Sequence, residues 1–287
     1  MDKKNNKPIY KHLVISGGSV RAISHVGALH CLIEKGYIDL KQLKSIAGTS
    51  AGALFGCLLT IGFTTNEIWD FLKCLDFNKL VNPDFFLFLK QCGVDSGKII
   101  YNLMEDILTK KTGIKQITFK QLFNLTNINF IVIGSCLTTK EAAYYDYINT
   151  PDFQVSLAIR ISISMPGFFT PVIIDGKKYV DGGILNNFAM NLFEDKLEET
   201  IGILICNEYN TNYKYPEEYF MAIINLFMYN FYKHAEKYPN NTIFIRKEMI
   251  NQSIFDFNMN YNTKLKLFEL GKQATNEFIE KRFNNLS

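Results

Sequence analysis

Long apolar runs are missing from this chain of 287 residues. No stretch approaches the roughly 20 consecutive apolar residues that cross a bilayer, and residues 1–11 are polar, with no apolar signal-peptide core. The expectation is an intracellular protein, cytoplasmic or peripheral on a membrane surface. Histidine is scarce, with four in all. None falls in an H-E-x-x-H pattern, no carboxylates cluster at ligand spacing and no calcium loop is visible, so no metal site and no cofactor are expected. The six cysteines (Cys31, Cys57, Cys74, Cys92, Cys136, Cys206) lack any C-x-x-C spacing. Several sit inside apolar runs, which predicts buried free thiols in a reducing compartment. A net charge of +3 without an arginine-rich stripe argues against a nucleic-acid partner. The early lysines Lys3, Lys4, Lys7 and Lys11 read as a solvated tail, with contact to an anionic membrane as the other reading.

What is present is ample apolar material: 47% hydrophobic against 21% charged residues, enough for a packed core in one large domain. Residues 12–16 read as a buried strand, 17–19 as a tight turn and 22–35 as a helix. Residues 44–47 and 53–61 repeat that strand-turn-helix logic. Two successive units of this kind imply right-handed crossovers and a parallel sheet. Residues 64–113 are mainly helical in pattern, 130–136 form a β-branched strand, and a further strand can begin at 144–147. Residues 152–161 read as helix. Residues 173–180 read as a hairpin around Asp175-Gly176, a dipeptide suited to a type I′ turn. Another buried strand is expected at 201–206, and long helices at 219–234 and 264–283. The expected fold class is α/β, a parallel-rich central sheet flanked by helices.

Gly48-Thr49-Ser50-Ala51-Gly52 lies between strand and helix and has the form of a nucleophile elbow. The chain turns there so sharply that side chains two residues on either side of the serine would collide, which glycine relieves. The helix that follows presents its positive end to negative charge developing on the serine. Gly17-Gly18-Ser19-Val20-Arg21 also opens a helix. It fits a phosphate cradle, an oxyanion hole built from main-chain amides, or a plain tight turn. The P-loop pattern is absent and the dinucleotide fingerprint fits poorly. Asp181-Gly182-Gly183 ends a strand, where a carboxylate can serve as general base or simply initiate an Asp-Gly turn.

In that order, the glycine turn, the serine elbow and the D-G-G triplet resemble the signatures of the patatin-like phospholipase family. Residues 158–171 add a stretch similar to the family's A-x-R-A-S-x-x-x-P-x-x-F-x-P segment, and residues 25–29 and Asn186-Asn187 resemble further family positions. The resemblance covers roughly residues 12–195, taken as the catalytic domain. Residues 196–287 are expected to complete the same globular unit with a strand and helices, giving a patatin-like three-layer sandwich. It implies that Ser50 is the nucleophile and Asp181 its base, with Gly48 and Gly52 shaping the elbow and Gly182 and Gly183 following the aspartate. Gly17, Gly18 and Ser19 would supply the oxyanion hole, the amides of Gly18 and Ser19 being preferred donors. Arg21 would hold a lipid phosphate or brace the loop. Ser19 stands where the family has a third glycine, and Phe188 where many relatives have proline.

The expected activity is lipid acyl hydrolysis of phospholipase A or lysophospholipase type through an acyl-enzyme, acting on a phospholipid or other lipid ester. Two rivals are a Ser50-Asp181-His234 triad esterase and a non-catalytic lipid-binding protein that keeps the fold. His234 reads better as a helix-terminal or surface residue, and His25 and His30 as packing or polar-satisfaction residues. Residues 83–89, Pro-Asp-Phe-Phe-Leu-Phe-Leu, are a candidate lid or peripheral membrane contact. A buried cap is the preferred reading of that segment.

Overall fold

A computed structural model describes residues 7–206, 233–246 and 257–284, together with positions 219, 222, 223 and 226. The chain enters through strand β1 (His12–Ile15), a 3-10 turn (Ser19–Ala22) and helix α1 (Ile23–Glu34). Strand β2 (Ser45–Thr49) and helix α2 (Ala51–Thr60) repeat the unit. Helix α3 (Thr65–Cys74) starts at a capping box in which Thr64 and Glu67 satisfy each other's backbone amides. A 3-10 turn (Phe77–Leu80), helix α4 (Phe85–Gln91), strand β3 (Gly93–Asp95), α5 (Lys98–Thr112) and α6 (Phe119–Thr126) lead to β4 (Asn129–Cys136). Then come β5 (Glu141–Tyr145), α7 (Val155–Ser162), β6 (Gly167–Phe169) and the hairpin of β7 (Val172–Ile174) and β8 (Lys177–Asp181). Helix α8 (Gly183–Asn186), β9 (Thr200–Cys206), β10 (Thr242–Arg246) and α9 (Tyr261–Ile279) close the described chain.

Strands β10, β9, β1, β2 and β4 lie side by side, all parallel, while β5 and β8 pair antiparallel with β4. Apolar residues line both faces, alternating along each strand as the pleat requires. Leu13, Ile15, Phe130, Val132, Ile201 and Ile203 join one core cluster; Val14, Ile131, Ile133 and Leu204 join the other. Helices therefore cover both faces, as the α/β expectation holds. Helix α9 packs against α1 at backbone contact: a Cβ built on Gly27 would lie 1.8 Å from the Phe268 carbonyl oxygen, and one on Gly271 1.8 Å from that of Ser24.

The register on β4 positions the site. β2 pairs residues 129–133 of that strand, β8 pairs 134–136, and β5 runs along 132–136. A strand has two edges, and β5 fills one of them across this stretch. β2 and β8 therefore share the other edge and run head-on toward each other, Thr49 facing Ile133 and Asp181 facing Gly134.

Several expectations shift. The strand expected from 144 spans Glu141–Tyr145, because the turn at Lys140 (φ 64°) folds it straight back onto β4. The mainly helical 64–113 segment includes strand β3, created by pairing with β6 rather than by its own residues. The hairpin turn has positive φ at both Asp175 and Gly176, as type I′ requires. Residues 83–89 are not a buried cap: Phe85, Phe86 and Leu89 are 68%, 72% and 68% exposed. Most of the helix expected at 219–234 lies outside the described residues. Lys11 pairs with Glu199 and Lys7 lies over the Tyr37 ring; Lys3 and Lys4 are outside the described residues. No described helix is long and apolar enough to cross a membrane.

Candidate active site

Ser50 sits between β2 and α2 with φ 54° and ψ −123°, a left-handed conformation that a non-glycine residue adopts only where its surroundings hold it. Close backbone approach explains the flanking glycines. A Cβ on Gly52 would lie 2.3 Å from the Ile15 carbonyl oxygen and 2.6 Å from that of Ser16. One on Gly48 would meet the Gly52 carbonyl oxygen at 2.5 Å. The Ser50 amide donates to the Ser162 hydroxyl at 2.8 Å, and that hydroxyl donates to the Ile133 carbonyl at 2.5 Å.

The head-on meeting of β2 and β8 brings Ser50 to Asp181 across 131 residues of sequence. Ser50 Oγ donates directly to Asp181 Oδ2 at 2.6 Å, with both residues buried. The other carboxylate oxygen, Oδ1, accepts the Gly183 amide at 2.7 Å, and the Asp181 amide donates to the Ser164 carbonyl at 2.9 Å. Gly182 packs against β4, where a Cβ would lie 2.3 Å from the Ile133 carbonyl oxygen. Burial raises the Asp181 carboxyl to about 6, outweighing the hydrogen bonds from Ser50 and Gly183, which pull it down. A carboxylate lifted that far is a stronger base than a solvated aspartate, yet remains mostly ionised at pH 7.

The glycine turn lies beside this pair. The Gly17 amide donates to Asn187 Oδ1 at 3.2 Å, and a Cβ on Gly17 would come within 3.1 Å of Ser50 Cβ. Ser19 takes φ 51°, so the residue that stands at the third glycine position does occupy the left-handed region. That conformation costs a non-glycine residue about 1–2 kcal/mol. Ser19 and Ser50 both line an apolar cavity of about 100 Å³ walled by Leu54, Phe55, Phe77, Leu80, Phe169 and Phe257. Arg21 is buried and is not among the residues lining that cavity.

The histidines lie apart from the pair's hydrogen bonds. His234 meets the Tyr238 hydroxyl at 3.3 Å. His30 Nδ1 meets Thr65 Oγ1. His25 is fully buried, its Nε2 against the Ser16 carbonyl at 2.9 Å, and burial lowers it to about 3, so it stays neutral.

Reading the residues alone assigned no role to Ser162, Ser164 or Asn187. Ser162 holds the Ser50 amide, Ser164 holds the Asp181 amide, and Asn187 holds the Gly17 amide. Their one visible signal is small or amide polar residues within otherwise apolar stretches, where buried polar groups must find partners. Behind Ser164 stands Arg160, a buried guanidinium that donates to the Ser96 and Thr170 carbonyls at 2.8 Å and to Ser164 Oγ at 2.5 Å.

A serine on a strand-to-helix elbow, bonded to a buried carboxylate in a mixed and mostly parallel α/β sheet, defines the general class. The sequence profile described as patatin-like phospholipase matches residues 13–193, well over half the chain, and the protein belongs to that family. Among its relatives, protein R571 of Acanthamoeba polyphaga mimivirus is 29% identical over 99% of this chain and 98% of its own length. A probable lipid hydrolase, 463L of Invertebrate iridescent virus 6, is 31% identical over 67% of this chain and 68% of its own. Among solved structures, VipD of Legionella pneumophila has a TM-score of 0.63 at 18% identity, matching 96% of this chain and 67% of that one. The type III effector ExoU has a TM-score of 0.57 at 15% identity, over 96% of this chain and 53% of that one. Those two structures speak for the fold. Family and relatives together support lipid ester hydrolysis.

Proposed function

We propose that this chain is a lipid acyl hydrolase of phospholipase A or lysophospholipase type, working through a Ser50-Asp181 dyad. The observation that carries the reading is the direct 2.6 Å hydrogen bond from Ser50 Oγ to the buried Asp181 carboxylate, with no histidine between them. Asp181 takes the Ser50 proton as Oγ attacks the ester carbonyl carbon, and negative charge develops on the carbonyl oxygen. The main-chain amides of Gly18 and Ser19 are the proposed donors to that oxygen, each worth about 2.7–4 kcal/mol in the transition state. The Gly17 amide, already engaged by Asn187, holds the turn. The N-terminus of α2 adds favourable potential. Collapse breaks the ester bond, and Asp181 returns its proton to the departing alcohol or lysolipid. Water, deprotonated by Asp181, then cleaves the acyl-enzyme, and Ser50 regains its proton as the fatty acid leaves. The apolar cavity at Ser50 suits the carbons next to the ester. Residues 12–195 carry the proposed catalytic groups; beyond them, β9 and β10 extend the same sheet and α9 packs on α1.

The test is fluorophosphonate labelling of the wild type, Ser50→Ala and Asp181→Asn, followed by fatty-acid release from a phospholipid, lysophospholipid and glyceride panel. Labelling and release confined to the wild type are expected. Full esterase activity in His234→Ala is also expected, since His234 is bonded to Tyr238; its loss would point to the triad. A folded wild type that releases no fatty acid from any ester would favour a lipid-binding role.

A further inference from the structure

Helix α4 is an oddity in a water-facing protein. It follows the sequence Phe85-Phe86-Leu87-Phe88-Leu89, and four of those five side chains are exposed, Phe88 least at 40%. A monomer rarely leaves so many large apolar side chains together in water without a use for them. The helix is not loosely hung. Asp84 caps it by accepting the Phe86 amide, the Asp84 amide donates to the Val94 carbonyl, and the Asn82 amide is held by Asp95. Asp95 also belongs to β3, which pairs with β6 at Phe169, a wall of the cavity at Ser50. On the other side, Phe77 and Leu80 wall the same cavity, and Phe85 follows Leu80 by only five residues, at most about 18 Å of chain. One short segment thus lines the cavity with Phe77 and Leu80 and offers Phe85, Phe86, Phe88 and Leu89 to the outside.

The charges around it point to the occupant. Lys90 lies in the last turn of the helix and Lys79 and Lys98 lie within seven residues of its ends; all three are exposed and take part in no ion pair among the described residues. Of the nearby acids, Asp95 is buried, while Asp76 and Asp84 are exposed and each accepts an amide of its own turn, so the three lysines outnumber these two surface carboxylates. Exposed phenylalanines and leucine bordered by free ammonium groups match a bilayer interface with anionic headgroups. Rings enter the acyl boundary and lysines meet phosphates and carboxylates.

We propose that α4 is the face by which this protein seats on an anionic lipid surface, with Phe85, Phe86 and Leu89 inserted and the Ser50 cavity brought to the headgroup level. The proposal rests on the lipid-hydrolase reading for its purpose, but its binding step stands apart from catalysis. Flotation with phosphatidylcholine vesicles, with and without one-third phosphatidylglycerol, reads binding directly, and Ser50→Ala binds as the wild type does whether or not Ser50 is the nucleophile. The double variant Phe85→Asp/Phe86→Asp should lose roughly tenfold or more of its vesicle affinity. It should keep wild-type turnover of a soluble monomeric ester, because neither ring lines the cavity. Lys79→Glu/Lys90→Glu should weaken binding to the anionic vesicles and leave the neutral ones unaffected. An unchanged melting curve guards against misfolding. Wild type that fails to float, or a double variant that floats equally well, overturns the proposal. So does a wild-type dimer in solution that Phe85→Asp/Phe86→Asp converts to monomer, since the face would then belong to a second copy. Absent hydrolysis with intact, α4-dependent flotation would instead count against the enzyme reading alone.

Discussion

The Ser162 hydroxyl accepts the Ser50 amide at 2.8 Å and donates to the Ile133 carbonyl at 2.5 Å, tying the elbow to the neighbouring strand. Ser50 needs that tie because its backbone lies in the left-handed region, where a residue relaxes unless held. Ser162→Ala takes from the buried Ser50 amide the hydroxyl that accepts it. A loss of about 1–3 kcal/mol of stability is expected. Turnover of a soluble ester should fall roughly tenfold or more through misplacement of Oγ, with KM little changed. Stability lost without any change in turnover would make the bond structural only.

Asp181 predicts both a pH profile and a stability trade. As a base it must be ionised, so ester hydrolysis should rise with pH through about 6. Its folded value lies above the unfolded value of 3.8, so the native state holds the proton more tightly. The neutral form's stability is therefore complete below about 3.8 and is lost as pH rises through 6. Asp181→Asn removes the buried charge and should be more stable than wild type at pH 7, by on the order of 3 kcal/mol. The gain should shrink toward pH 4. Urea midpoints at pH 4, 6 and 8 measure it, and an Asn variant less stable than wild type at pH 8 would contradict it.

Arg160 holds three segments with one planar group: the Ser96 and Thr170 carbonyls and the Ser164 hydroxyl. Burial lowers it to about 10, so it stays charged at neutral pH. Lysine cannot reproduce the fork. Arg160→Lys should cost about 2–4 kcal/mol and slow hydrolysis, because Ser164 carries the Asp181 amide. Chemical denaturation beside the pH profile separates the two effects, since a shifted acidic limb reports a displaced carboxylate.

Gly27→Ala should push α1 from α9, because its methyl would need the space of the Phe268 carbonyl. A destabilisation of about 1–3 kcal/mol or more is expected, read as a lower urea midpoint. Midpoints within error of wild type would mean that the two helices yield more easily than their backbone contact suggests.

The two strand-turn-helix units were legible because their signals are local. An apolar strand, a glycine-relieved turn and an apolar helix fall within some twenty residues of each other. β10 was not, since Thr242–Arg246 becomes a strand by pairing with β9, more than thirty residues earlier. β3 and the early start of β5 follow the same rule: Gly93 and Ala142-Ala143 have little strand preference and are recruited by a partner. The exposure of α4 was misread for the opposite reason. Five apolar residues between breakers look like core, and nothing in the run says which neighbours fail to cover it.

The sequence by itself determined the elbow. Gly48 is demanded by backbone sterics within a few residues, and that turn sets the serine between strand and helix; Gly52 is demanded by the Ile15 and Ser16 carbonyls of the neighbouring strand-turn unit. It also supplied the apolar periodicity that makes the sheet. Only the tertiary structure decided that Asp181, 131 residues away, meets Ser50, because β2 and β8 run head-on along one edge of β4. It also decided that burial lifts this carboxyl to about 6 and that Phe85 and Phe86 face outward. Desolvation and exposure are sums over neighbours from distant parts of the chain, and no local run of residues contains them.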